Sequence, residues 1–236
     1  MPATLVYAIH GFLGRASDWV EVEKILPNVS FVAEELFSKN QRLDYFLTRV
    51  KSFESFQGKK IFLGYSLGGR LGLQLLKKTP DIFDHYCFLS TNPGLPSQAL
   101  EERKNRIIQD KNWSVKISKE NWYLFLQEWN SQPLLQGANA APQRDIKNYD
   151  LQKLQEAQLW WSLGKQEDFS ETIRIHKEKI TWAVGDRDKR YCAIAEDMKN
   201  KKILLDYKKL SSGHRIWLDN PSAVASIIDH IVSTNF

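Results

Sequence analysis

The stretch GYSLGG at residues 64–69 sets Ser66 between small residues, after the apolar run KIFL (60–63) and before the helix-forming run RLGLQLLKK (70–78). At such a strand–turn–helix corner a serine is held exposed at the head of a helix, where developing negative charge is favoured. Read without chemistry, the same letters are a glycine-rich turn. The two readings part on whether the chain supplies a base, because a serine hydroxyl is inert without one. His214, in LSSGHRIWLDNP, is the candidate, and Gly213 before it lets the loop bend toward the serine. A carboxylate to orient that imidazole is offered at Asp186 and Asp188 in GDRDKR (185–190). Asp188 is preferred because it lies farther along the loop, while Asp186 suits bonding to the turn backbone. Oxyanion donors are expected from HGFLG (10–14), through the amide of Phe12, and from the amide of Leu67 just after the serine. His10 is expected to shape its own loop, and His85, His176 and His230 to be packing or surface groups.

Short, nearly continuous apolar runs must carry these loops: LVYAI (5–9), SFVAE (30–34), KIFLGY (60–65), YCFLST (86–91), ITWAVG (180–185) and KILLDY (202–207). Runs of this kind belong in a mostly parallel sheet covered on both faces. Helical patterns lie between them at 17–26, 41–56, 69–78, 190–200 and 221–232. The first, third, fifth and sixth runs lead into HGFLG, GYSLGG, GDRD and SSGH, so the candidate groups meet at one edge of the sheet. The order serine, aspartate, histidine is that of the α/β-hydrolase arrangement. Residues 95–179 break the rhythm with helical pieces at 97–113, 118–132 and 150–164 and a loop at 137–145. The expected organisation is an α/β-hydrolase core, 1–94 and 180–236, with a helical cap inserted at 95–179.

Composition narrows the class. The 236 residues are 42% hydrophobic and 26% charged, with a formal charge of +5, as in an ordinary globular protein able to draw in an anionic metabolite. Scattered lysine pairs with no recognition motif speak against nucleic acid. Cys87 and Cys192 have no partner at metal-ligand spacing, so no metal is expected, and a buried free thiol at 87 fits a reducing, cytoplasmic setting. The N-terminus reads as a core strand rather than a signal peptide. No apolar stretch approaches the roughly 20 residues needed to span a bilayer. HGFLG lacks both nucleotide-loop patterns, so no nucleotide cofactor is expected.

Taken together, HGFLG with Trp19, GYSLGGR (64–70), NPGL (92–95), EER with DKNW (101–113), FLQEWNSQPL (125–134), GDRDKRY (185–191) and SGHRIWLDNP (212–221) resemble MenH-type 2-succinyl-6-hydroxy-2,4-cyclohexadiene-1-carboxylate synthases. These are α/β-hydrolase-fold enzymes of menaquinone biosynthesis, and the resemblance covers nearly the whole chain. It implies elimination of pyruvate from 2-succinyl-5-enolpyruvyl-6-hydroxy-3-cyclohexene-1-carboxylate without a cofactor. Ser66 would act as a base on a ring C–H, with His214 and Asp188 behind it. It also implies Arg70 and Arg106 as carboxylate-binding groups and Tyr65 and Trp129 as pocket aromatics. Three departures bear on substrate choice. DIKNYD (145–150) leaves Lys147 as the nearby cation where the family has an arginine, Trp160 and Trp161 precede Ser162 and would narrow the pocket or make it more apolar, and Asn92 replaces a histidine before PGL. A serine esterase or thioesterase working through an acyl-serine is the alternative that the same triad would serve.

Overall fold

The computed structural model describes residues 3–37, 42–135 and 140–234. Six parallel strands form one sheet: β1 (Thr4–Ile9), β2 (Ser30–Glu34), β3 (Lys59–Tyr65), β4 (His85–Leu89), β5 (Ile180–Gly185) and β6 (Lys208–Leu210). Their order is β2-β1-β3-β4-β5-β6. The chain therefore moves to one side of β1 first and to the other side afterwards. Such a reversal opens a crevice beyond the carboxyl ends of the strands, where ligands of open α/β sheets bind.

Every residue of β1 and β4 is buried, which is why these strands are continuously apolar in sequence. Successive side chains still alternate between faces. Tyr7, Phe62, Phe88 and Trp182 point to the layer holding α2 (Leu43–Lys51), α3 (Leu67–Lys78) and α8 (Lys189–Asn200). Val6, Leu63, Cys87 and Ala183 point to the layer of α1 (Val20–Ile25) and α10 (Pro221–Ser233). Each fully buried Phe or Ile contributes roughly 1.5–3 kcal/mol. Helix starts follow their caps: Asp188 accepts the Tyr191 amide at the head of α8, and Asn220 accepts that of Ala223 just before Pro221 begins α10.

Between β4 and β5 the chain is helical: α4 (Leu100–Ser114), α5 (Trp122–Asn130), α6 (Leu151–Trp160) and α7 (Ser170–Ile175). α4 packs on α6, whereas α7, which the sequence pattern did not suggest, packs on α3 of the core. Of the expected loop at 137–145, residues 137–139 lie outside the described residues, and 140–145 are irregular. A four-residue helical turn, α9 (Ile216–Asp219), also follows the last loop.

The sixth strand differs from expectation. KILLDY (202–207) is not a strand; β6 begins at Lys208. Lys202 adopts φ 56°, and the amides of Lys202 and Ile203 bond back to the carbonyls of Lys199 and Met198, 2.9 and 2.8 Å away. This is a Schellman closure of α8, and buried Ile203 forms its apolar plug beside Met198. The apolar letters that imitated a strand serve a helix terminus.

Candidate active site

Ser66 stands between β3 and α3 with φ 51° and ψ −108°, a backbone state that a residue with a side chain rarely adopts. Its amide bonds the Leu89 carbonyl (2.9 Å) and its carbonyl accepts the Arg70 amide (3.0 Å), so the corner is pinned to β4 and to its own helix. The corner closes only because neighbours lack side chains. A β-carbon on Gly64 would stand 2.6 Å from the Gly69 α-carbon, and one on Gly68 would stand 2.6 Å from the His10 carbonyl oxygen and nearer still to that of Ile9.

His214 brings Nε2 to 3.4 Å from Ser66 Oγ and Nδ1 to 2.6 Å from Asp188 Oδ2. The carboxylate accepts the Nδ1 proton, which leaves Nε2 as the acceptor facing the serine. Both Asp188 and His214 are buried. The loops carrying them are stitched together by Asp186, whose Oδ1 accepts the Ser212 amide at 3.0 Å, and by the Arg187 amide donating to the Ser212 carbonyl at 3.1 Å. Asp186 thus bonds backbone while Asp188 takes the histidine. Rings enclose the imidazole: Tyr191 at 4.6 Å and Tyr65 at 5.5 Å between centroids. Burial raises both phenols, so they stay protonated.

His10 holds its loop. Its Nε2 accepts the Leu36 amide (3.1 Å), leaving Nδ1 to donate to the Gly11 carbonyl (2.8 Å). Phe12 and Leu67 both line the cavity beside Ser66. Among the described residues neither amide donates to a protein acceptor, so both remain available to an oxygen of a bound molecule.

The cavity above Ser66 has a volume of about 660 Å³, enough for a small metabolite, and is roofed by α4, α5 and α6. Among the described residues seven basic side chains line it (Arg70, Arg106, Arg144, Arg187, Lys189, Arg190 and Arg215) against three acidic ones, Asp18, Asp110 and Asp188. Arg70 Nη1 donates to the Trp161 carbonyl (2.7 Å) and to Gln166 Oε1 (3.1 Å), both neutral acceptors. Burial and the like charge of Arg106 lower its pKa to about 10. Arg106 is held through Nε by Asp110, whose oxygens are 3.0 Å away and which also accepts from Gln158 at 2.8 Å. Trp129 packs on Phe12 with centroids 4.8 Å apart.

Two expectations need correction. Lys147 is exposed and does not line the cavity; Arg144 does, forked onto Asp18 by two 2.8 Å bonds. Arginine thus stands at the wall, one residue before the DIKN turn. Nor do both tryptophans narrow the pocket. Trp161 lines it, but Trp160 is turned away and half exposed, with the Arg42 guanidinium 4.6 Å from its ring. Asn92 lines the cavity and caps its own turn through the Gly94 amide. Sequence reasoning also missed Arg215, which is buried and donates to Asn130, and Asp18 and Asp110, which hold two of the arginines. Among the described residues no group of three or more His, Cys, Asp or Glu side chains comes together as a metal site, and no helix is long and apolar enough to cross a membrane.

No protein-family model matches the chain. A 2-succinyl-6-hydroxy-2,4-cyclohexadiene-1-carboxylate synthase of Enterobacter sp. (strain 638) is 24% identical over 238 residues, covering 95% of this chain and 90% of that protein. Among solved structures, MenH from S. aureus superposes with a TM-score of 0.82 at 18% identity, covering 97% of this chain and 92% of the other. A thermophilic esterase from Thermogutta terrifontis superposes with a TM-score of 0.72 at 14% identity, covering 97% and 89%. The chain is an α/β-hydrolase-fold protein with a helical cap, similar in sequence and in structure to the MenH-type 2-succinyl-6-hydroxy-2,4-cyclohexadiene-1-carboxylate synthases.

Proposed function

We propose that the chain is a lyase that eliminates pyruvate from 2-succinyl-5-enolpyruvyl-6-hydroxy-3-cyclohexene-1-carboxylate. The observation that carries this reading is Arg70: a guanidinium at the wall of the Ser66 cavity, bonded among the described residues to neutral acceptors alone and feeling the like charge of Arg106. A sheltered cation that hydrogen-bonds no carboxylate among the described residues calls for an anionic ligand, and guanidinium forks suit carboxylates. The further basic groups of the wall suit a substrate with several carboxylates.

The substrate has its ring double bond at carbon 3 and the product has two, at carbons 2 and 4. The reaction therefore removes the proton from carbon 2 and the enolpyruvyl oxygen from carbon 5. Carbon 2 bears the succinyl ketone, so its C–H is the acidic one. His214 Nε2 takes the Ser66 hydroxyl proton, and the Ser66 oxygen takes the proton from carbon 2. Negative charge collects on the ketone oxygen, where the amides of Phe12 and Leu67 receive it. That charge returns through the ring, shifts the double bond and breaks the carbon 5–oxygen bond. The leaving oxygen takes the proton held on His214, which restores the neutral imidazole, and the enolpyruvate, its carboxylate held by an arginine, departs and tautomerises to pyruvate. Asp188 keeps the imidazole in the working tautomer and balances its charge when protonated.

The second reading is ester or thioester hydrolysis, favoured by one feature: Ser66, His214 and the two free amides would serve acyl transfer equally well. One experiment separates the two. Purified protein is supplied with the enolpyruvyl compound and pyruvate release is followed, with short esters and acyl-thioesters in parallel and Ser66→Ala as control. Pyruvate release that depends on Ser66 is the expected result. Turnover of esters without the enolpyruvyl compound would reject the lyase, and full activity in Ser66→Ala would reject both readings.

A further inference from the structure

We propose that Tyr149, on the cap, is a positioning residue that holds the turn bearing the Phe12 amide in its charge-accepting form. This rests on the function proposed above, in which that amide receives developing negative charge. Residues Gly11 to Gly14 form a tight turn closed by the Gly14 amide on the Gly11 carbonyl at 3.0 Å. Leu13 is its third residue and adopts φ 59°. Turns with positive φ at that place ordinarily carry glycine or asparagine, because a side chain there is strained. Leu13 has no such freedom, and its side chain is buried in the core, so something outside the turn must favour the strained form.

The Tyr149 hydroxyl does so. It donates to the Leu13 carbonyl at 2.8 Å, from a cap residue far away in sequence. Burial raises the phenol to about 12, so the donor keeps its proton at neutral pH. The ring is fixed as well, 5.2 Å from Trp122, whose indole N–H donates to the Arg144 carbonyl at 2.8 Å. A second cap contact falls on the same turn, since Trp129 packs on the Phe12 ring. Relaxation toward negative φ is rotation about the Leu13 N–Cα bond, which turns the Leu13 carbonyl relative to the Phe12 segment, so that the carbonyl leaves Tyr149 and the Phe12 amide shifts off the bound oxygen. The cap thereby sets the donor geometry of the core and not only the shape of the cavity.

The test is Tyr149→Phe, which keeps the ring and removes one oxygen, assayed on whichever substrate Ser66→Ala shows to depend on Ser66. The expected result is about a tenfold fall in kcat, with KM within twofold and the unfolding temperature little changed. Leu13→Gly removes the strain from the turn, so adding Tyr149→Phe in that background should cost less than threefold. An unchanged kcat in Tyr149→Phe overturns the proposal. So does a loss that is equal in both backgrounds, or one that falls on KM and stability instead, for then the phenol serves cap packing alone. Should Tyr149→Phe fold poorly, the Leu13→Gly protein itself decides, because adding Tyr149→Gln to it must still leave the rate within threefold. A Ser66→Ala protein that retains full activity would instead remove the functional premise, and that failure is distinguishable from the others.

Discussion

Replacing Arg70 with methionine separates a binding guanidinium from a structural one. Folding the native cation beneath the cap lowers its pKa from 12.5 to about 10, a cost of up to about 3 kcal/mol, reduced by water in the cavity. The sign follows from the direction: below the folded value the group is charged in both states, so the whole cost is present at neutral pH and is relieved only as pH rises past about 10. Methionine removes that cost but forfeits the bonds to Trp161 and Gln166, about 1 kcal/mol each. The two effects nearly cancel, and thermal unfolding should move by no more than about 6 °C for a chain of this size. Catalysis should not escape so lightly. Nη1 makes both protein bonds, which leaves the Nε and Nη2 edge to fork a carboxylate. Losing that fork costs about 3 kcal/mol, near 150-fold in kcat/KM for the enolpyruvyl substrate. Arg70→Lys should fall between the two, because it keeps charge without the fork. Steady-state kinetics and a thermal melt decide the matter. A kcat/KM within threefold of wild type, or a melt lowered by more than about 10 °C, would mean that Arg70 braces Trp161 and Gln166 and reads no substrate.

Three further predictions follow from the same geometry. Asp188→Asn keeps an N-cap for α8 but offers the imidazole a donor where it needs an acceptor, so kcat should fall by about 10³–10⁴ with an almost unchanged melt. Gly68→Ala forces a β-carbon against the carbonyls of Ile9 and His10; a loss of about 1–3 kcal/mol or more in urea unfolding is expected, together with activity. Burial lowers the pKa of His85 from 6.5 to about 4, so the unfolded chain binds more protons between those values and native stability drops as pH falls through them, by about 3 kcal/mol in all. His85→Gln should flatten that dependence in urea titrations at pH 7, 5.5 and 4, and parallel wild-type and variant curves would contradict it.

The parts of the fold legible in the sequence are those that local chemistry decides. Continuous apolar runs mark β1, β3, β4 and β5 because both faces of each are covered. The corner at Ser66 was legible because the glycines at 64 and 68 have no substitute where backbones touch. KILLDY misled because burial alone does not distinguish a strand from an apolar helix plug. What would have told them apart is the left-handed turn at Lys202, and a lysine does not announce it as glycine would.

The site divides in the same way. Ser66, Asp188 and His214 could be ordered from sequence because each lies in the loop that follows a strand of one sheet, and the sheet does the aligning. Arg144, Arg215 and Tyr149 could not, because each takes its position from a contact between cap and core: Arg144 with Asp18, Arg215 with Asn130, Tyr149 with Leu13. No periodicity encodes a pairing between residues more than a hundred positions apart, as Asp18 and Arg144 are. Yet these contacts decide which charges face the cavity. Asp18 takes both arms of Arg144, whereas among the described residues Arg70 hydrogen-bonds neutral oxygens alone, so two arginines on one wall offer an anion different things. Arg144 is largely neutralised where it stands and keeps its own charge through that pairing, burial notwithstanding. Arg70 hydrogen-bonds no carboxylate among the described residues and is the better place for a carboxylate of the substrate proposed above. Counting basic residues in a motif therefore overstates the attraction for an anion. The preference of this cavity depends on which guanidinium the cap leaves without a carboxylate.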